Sequence, residues 1–353
     1  MTTILERTYI TPVGKFDEIV LDEERSLRLI LTGACNLACE FCAYKVKDFY
    51  SPEVHSNKLV EMRPTSELRK LLREMKKRLN YDVTHFTGGE PSIAKHVIQV
   101  GELCKDEGYS VNMCSNLVYT KSTLELLEKD LLDQLTFSYV PLDSSQQRSR
   151  LPTYQRPDKG RIDKTLENVL YIRSHYPDIT VKTNIVISPY SDIENTKDFV
   201  TWCWDNGVIP RVQRDRSGNR ISGSTENTKK LLEKLEMEPK KVILRIPGAT
   251  EVCEFEDPDG RTMYVKIFNK NFRLQEVCKL CSKEEGCSKS LSSIRVYDTE
   301  EEPTLCLCTV HNEDFAHLTM DKFLESKAFE EIKGYKMDKM SYFNRFCTHP
   351  NFQ

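Results

Sequence analysis

The chain has 353 residues, 39% hydrophobic and 30% charged, and 51 Lys and Arg against 54 Asp and Glu give a formal net charge of −3. That balance suits a globular protein with a full core and a smaller appended domain, and it excludes the polybasic surface of a nucleic-acid binder. No apolar run reaches the roughly 18 residues that cross a bilayer, and the opening MTTILERTYI lacks a signal peptide's basic start and apolar stretch, so a cytoplasmic protein with no membrane and no nucleic-acid polymer among its partners is expected.

Thirteen cysteines are many for a reducing compartment, where disulfides do not persist, so the thiols read as metal ligands. The first cluster follows an apolar strand at 27–31, where Cys35, Cys39 and Cys42 stand at a C-x3-C-x2-C spacing with Phe41 inside the run. Three thiolates on one loop hold three irons of a [4Fe–4S] cluster and leave the fourth iron open to chemistry. A structural zinc site, which takes four ligands and usually paired C-x2-C units, is the alternative.

From there the pattern alternates short apolar runs with amphipathic stretches, which predicts successive βα units and a parallel sheet. Strands are expected at 27–31, 83–86, 110–114, 134–140, 180–187 and 208–212. Helices are expected from Pro64 through Met75 and over 93–104, 122–132, 162–175 and 193–204. Six strands suffice for an open barrel. Gly88, Gly89, Glu90 and Pro91 end the second strand, and Ser115 and Asn116 end the third. A glycine pair at a strand end is by itself a turn, and a Ser-Asn pair by itself a polar cap.

Two loops break the rhythm. Residues 144–161 carry Arg148, Arg150, Arg156, Lys159 and Arg161 against Asp158, and residues 211–220 carry Arg211, Arg214, Arg216 and Arg220 against Asp215. In a βα barrel both lie at the C-terminal mouth, where such folds place their sites. Solvated basic loops are the plain reading, and a small anionic substrate contacted by Arg211 and Arg214 is the functional one.

A Lys- and Glu-rich helix over 225–238 reads as a connector to a smaller β module, with strand-like runs at 242–246, 263–268 and 293–297. Around them lie Cys278, Cys281, Cys287 and Cys306, a set that suits a second, auxiliary [4Fe–4S] cluster or a zinc knuckle. Cys253 and Cys308 stay open as further ligands, whereas Cys104, Cys114, Cys203 and Cys347 read as buried small hydrophobes. One amphipathic helix is expected over 320–333.

The Cys35, Cys39 and Cys42 triplet with Phe41, followed by Thr87-Gly88-Gly89-Glu90-Pro91, resembles the radical S-adenosylmethionine (SAM) superfamily. That resemblance implies an α/β fold, a partial (β/α)6 barrel followed by a small β-rich auxiliary iron–sulfur domain of the SPASM or Twitch kind and a C-terminal helix. The boundaries it suggests are 1–24 for an N-terminal extension, 25–224 for the barrel, 225–319 for the auxiliary domain and 320–353 for the helix and tail. It implies SAM on the open iron and a one-electron donor such as flavodoxin or ferredoxin. Phe41 and Ile187 would pack on adenine, Gly88, Gly89, Glu90 and Pro91 would hold the methionyl ammonium, and Ser115 and Asn116 would lie near SAM.

Leu27-Arg28-Leu29, Leu142-Asp143-Ser144, Val181-Lys182-Thr183-Asn184 and Ser293-Ile294-Arg295-Val296 further resemble the GTP 3′,8-cyclases of molybdenum-cofactor synthesis. The chain departs from them in the inserted stretch 283–292 with Cys287, in Ala94 and Lys95 after the glycine motif, and in Pro141. The implied activity is hydrogen abstraction from a small phosphorylated, nucleotide-like substrate leading to carbon–carbon bond formation or rearrangement. Alternatives are a maturase crosslinking a ribosomally made peptide and, from another class, a non-catalytic zinc-binding protein.

Overall fold

A computed structural model describes residues 2–37, 60–139, 159–215, 220–268, 272–279, 291, 293–308 and 316–347. The chain opens with a hairpin, β1 Thr3–Thr11 and β2 Gly14–Glu23, and then enters β3 Ser26–Thr32. Alternating strands and helices follow: α1 Ser66–Leu79, β4 Val83–Gly88, α2 Val97–Asp106, β5 Ser110–Ser115, α3 Lys121–Glu128, β6 Gln134–Tyr139, α4 Lys159–His175, β7 Thr180–Ile187, α5 Ile193–Asp205, β8 Ile209–Arg214 and α6 Ile221–Lys234. The six strands β3 to β8 lie parallel and in chain order, the partial barrel expected from the sequence.

Local signals explain the helices. Thr65 caps α1 by accepting from Leu68 N, Asp192 caps α5 through Asn195 N, and α1 buries Leu68, Leu71, Leu72, Met75 and Leu79 at helical spacing. On the strands, Leu27, Leu29, Phe86, Val111, Met113, Leu135, Phe137, Val181 and Val212 are buried in the main core. The intervening Arg28, His85, Asn112, Cys114, Lys182, Arg211 and Gln213 are only partly buried. Since neighbours in a parallel ladder share a face, one face of the sheet is apolar and the other polar.

The remaining strands extend this sheet and do not form one of their own. β9 Glu238–Ile246, β10 Thr250–Glu256 and β11 Thr262–Phe268 form a meander whose last strand pairs parallel with β8 and whose first pairs parallel with β2. After the short α7 Gln275–Cys278, strands β12 Arg295–Tyr297, β13 Thr304–Cys306 and β14 His317–Thr319 extend from β3. The described strands thus make one sheet in the order β1-β2-β9-β10-β11-β8-β7-β6-β5-β4-β3-β12-β13-β14. β3 and β8 would otherwise present unpaired backbone, and the outer strands satisfy it.

The expected single helix over 320–333 is instead α8 Met320–Leu324 and α9 Lys327–Met337, followed by α10 Lys339–Phe346. Ser326 caps Phe329 N and Asp338 caps Ser341 N, so each stops one helix and starts the next. The connector is α6, four residues earlier than expected, because 238–246 enters β9.

Candidate functional site

At the C-terminal ends of β3, β4 and β5, three segments are tied together by backbone bonds. Gly89 N donates to Thr32 O at 2.7 Å and Glu90 N to Ala34 O at 2.8 Å, fastening the glycine motif to the loop that carries Cys35. The fit is tight enough to require glycine twice. Gly88 has φ +135 and a Cβ on it would lie 2.4 Å from Thr32 O, while a Cβ on Gly89 would lie 1.9 Å from Ala34 O. The glycine pair therefore serves the approach of two protein backbones.

Glu90 is buried at 2% exposure, and both of its carboxylate oxygens accept hydrogen bonds. Oε1 accepts from Ser115 Oγ at 2.7 Å and Ser92 N at 3.0 Å, and Oε2 accepts from Asn116 N at 2.7 Å. Glu90, expected from the sequence near the methionyl ammonium, clips the end of β4 to the end of β5. Pro91 begins the 3-10 turn Pro91–Ile93 that Glu90 caps. Asn116 then reaches the cysteine loop, its Nδ2 donating to Asn36 Oδ1 at 2.7 Å.

Cys35 is exposed beyond the end of β3, and Leu37 N donates to its Sγ at 3.4 Å. Beside it, Asn36 Nδ2 is buried with no acceptor among the described residues. An exposed thiol already receiving an amide hydrogen bond, next to an orphaned buried donor, fits a group made of anionic sulfur. Cys39, Cys42 and Phe41 lie outside the described residues.

Beneath this rim the polar face of the sheet is cationic. Arg28 pairs in register with His85, Lys182 with Ile209, Asn184 with Arg211 and Gln213 with Lys266, so Arg28, Lys182, Arg211 and Lys266 share one face. Burial, with Arg28, Arg211, Lys266 and Lys182 around it, holds the His85 imidazole well below its ordinary range. Burial lowers Lys182 to about 8, with Arg211 and Arg245 adding to the effect, and burial brings Arg211 down to about 10. Such crowding favours an anionic guest. Cys114 stands among these groups, its thiol pushed up by burial and accepting from Asn184 Nδ2 at 3.6 Å.

Arg211 and Arg214 do not act together. Residues three apart on a strand face opposite sides, and Arg214 shares its side with Ile187, its register partner. Its Nη1 donates to Thr225 Oγ1 on α6 at 2.7 Å. Ile187 is fully buried in the main core, a packing position on the helix-covered face. Conversely, Arg28, His85, Lys182 and Lys266 were not among the expected site residues. Their signal was one basic residue inside each of four otherwise uncharged strands.

Of the second cysteine cluster, Cys278 ends α7 half-buried, and Cys306 is buried in a small cluster with Ile30 and Tyr297. Register places Cys306 opposite Arg295, which lies opposite Arg28, so Cys306 belongs to the polar face. Cys281 and Cys287 lie outside the described residues, as do the side chains expected at 144–161 and Arg216. Among the described residues no three His, Cys, Asp or Glu gather as a metal site. Cys253 is buried on the opposite face of β10, where its register partner is Val265.

Residues 29–203 match the sequence profile of the Radical SAM superfamily. This chain carries a radical SAM domain. A protein of Methanocaldococcus jannaschii named as a glycyl-radical enzyme activating enzyme is 30% identical over 103 residues, covering 29% of this chain and 35% of its own. The GTP 3′,8-cyclase of Mycolicibacterium smegmatis is 26% identical over 196 residues, 53% of this chain and 48% of that one. The chain thus spans well under two thirds of either relative. The GTP 3′,8-cyclase of Actinobacillus pleuropneumoniae serotype 3 is 22% identical over 272 residues, 73% of this chain and 72% of that one. Among solved structures, native anSMEcpe with bound AdoMet has the same fold, with a TM-score of 0.50 at 13% identity over 91% of this chain and 87% of that one. No helix among the described residues is long and apolar enough to cross a membrane.

Proposed function

We propose that this radical SAM protein acts on a small anionic, nucleotide-like substrate held on the polar face of its barrel. The cluster and SAM supply, when bound, one-electron cleavage of a carbon–sulfur bond and a 5′-deoxyadenosyl radical that abstracts hydrogen. The chain's own residues do the rest. Cys35, with Cys39 and Cys42, would hold the cluster, and the backbone fastened by Gly88, Gly89 and Glu90 would present the ends of β3, β4 and β5 to SAM. Arg28, Lys182, Arg211 and Lys266 would neutralise the substrate's phosphate or carboxylate groups. Cys278, Cys281, Cys287 and Cys306 would hold the second cluster, Cys306 from the same face as the cations.

The observation that carries this reading is the convergence of four cations on the polar face directly below the glycine and cysteine loops. Burial of Lys182 and Arg211 is costly for cations, and like charges repel, so the arrangement suits a bound polyanion. Full-length protein reconstituted without oxygen and given SAM and dithionite should release 5′-deoxyadenosine, and a nucleoside triphosphate should raise that yield. No 5′-deoxyadenosine from protein of full iron and sulfide content would remove the radical reading. Stimulation by peptides alone would transfer the substrate to the peptide class.

A further inference from the structure

We propose that Asn36 is a positioning residue whose side-chain amide donates a hydrogen bond to a sulfur of the iron–sulfur cluster carried by the Cys35 loop. The proposal rests on the reading that this loop holds such a cluster. Its ground is a run of hydrogen bonds that fixes the orientation of two amides in succession. Val118 N donates to Asn116 Oδ1 at 3.0 Å, which identifies the oxygen of that side chain. The other end of the Asn116 amide is therefore the donor, and it reaches Asn36 at 2.7 Å. An amide nitrogen cannot accept, so Asn36 must present its own oxygen to Asn116. What remains is Asn36 Nδ2, buried and without an acceptor among the described residues.

A buried donor with nothing to donate to is uncommon in folded proteins, and with no acceptor for Asn36 Nδ2 among the described residues a bound group suits it. The chemistry of that partner follows from the neighbourhood. Asn36 directly follows Cys35, whose Sγ already accepts from Leu37 N at 3.4 Å. Cluster sulfides and thiolates are anionic acceptors, and donors to them favour the reduced, more negative state. The Asn36 amide therefore biases the cluster toward the form that gives up an electron. Asn116 holds it in place, and Asn116 is itself tied through its backbone N to Glu90, so the clip at the strand ends also orients this donor.

The test uses full-length protein reconstituted without oxygen and without SAM, with 15N placed only in asparagine side-chain amides. Iron and sulfide content and the electron paramagnetic resonance signal of the dithionite-reduced protein report whether the cluster is present, so failure of the cluster reading is seen separately. With the cluster present, pulsed resonance should resolve a 15N coupling to an asparagine amide. Asn36→Leu should abolish that coupling and shift the midpoint potential to a more negative value at unchanged iron content. Asn116→Leu leaves Asn36 in place but unclamped, and should shift the midpoint in the same direction by a smaller amount. A reduced wild-type cluster showing no asparagine-amide coupling overturns the proposal, whether or not either variant loads iron. So does Asn36→Leu with full iron and an unchanged midpoint.

Discussion

Asn184 and Arg211, neighbours in register across β7 and β8, are joined by two bonds to one oxygen: Arg211 Nε at 2.8 Å and Nη2 at 2.6 Å both donate to Asn184 Oδ1. The pairing fixes one edge of the guanidinium against the sheet, so the charge is held on the polar face without being neutralised by it. Arg211→Met should weaken binding of inorganic tripolyphosphate by tenfold or more, since a hydrogen bond to a charged group contributes roughly 1.5–3 kcal/mol. Arg214→Ala should leave that affinity unchanged, because its guanidinium bonds Thr225 on the other face. Isothermal titration of both variants checks the pair, and equal losses would refute the assignment of faces.

Lys182 makes the same site sensitive to pH. With its ammonium lowered to about 8, it is charged below that pH and neutral above it, so anion affinity should be highest below 8 and fall as pH rises through it. Stability moves the other way. Between about 8 and the ordinary lysine value of 10.5 the unfolded chain holds the extra proton, so this residue's contribution to stability increases with pH across that window. Both slopes should flatten in Lys182→Met, measured by tripolyphosphate titration and urea unfolding from pH 7 to 10.

At Gly89 the demand is steric. A methyl group there would meet Ala34 O at 1.9 Å, and backbone cannot yield as a flexible side chain does. Gly89→Ala should destabilise the protein by roughly 1–3 kcal/mol and lower the iron loaded on reconstitution, because the Cys35 loop must move. Urea midpoints and iron content together measure both effects.

Glu90→Gln tests the clip. The amide puts a donor where an oxygen now faces Ser92 N, Ser115 Oγ or Asn116 N, so at least one buried bond becomes a clash of donors. The expected cost is about 1–3 kcal/mol, with weaker SAM binding as a consequence of the displaced β5 end. Undiminished SAM affinity in a destabilised variant would show that the clip serves the fold alone.

Much of the barrel was legible because its strands are short, apolar and separated by capped amphipathic helices. The helices expected from Pro64 and from 193, for instance, start within two residues of those positions, with Thr65 and Asp192 as their caps. β10 was missed because Glu251, a charged residue, is buried within it, its Oε1 accepting from Tyr9 of β1 at 2.7 Å, a partner 242 positions away. The hairpin β1–β2 was missed for a related reason: its charged, exposed outer strand reads as an extension until β9 is placed beside it. At the site, the glycine pair was found by its motif, but its physical role depends on how near the Cys35 loop comes, which spacing does not record. Arg211 and Arg214 fall on opposite faces of β8, a consequence of strand periodicity, a rule the sequence did contain.

Ile19 lies beside Val242 and Leu21 beside Leu244, so β2 finds its lateral neighbour more than two hundred residues later in the chain. During synthesis the opening hairpin must wait, one edge bare, until nearly the whole barrel has emerged. Such late closure between remote stretches slows assembly and leaves sticky surface exposed meanwhile. A chaperone that shields nascent chains should therefore raise the yield of native protein, with Ile19 and Leu21 among the groups it covers.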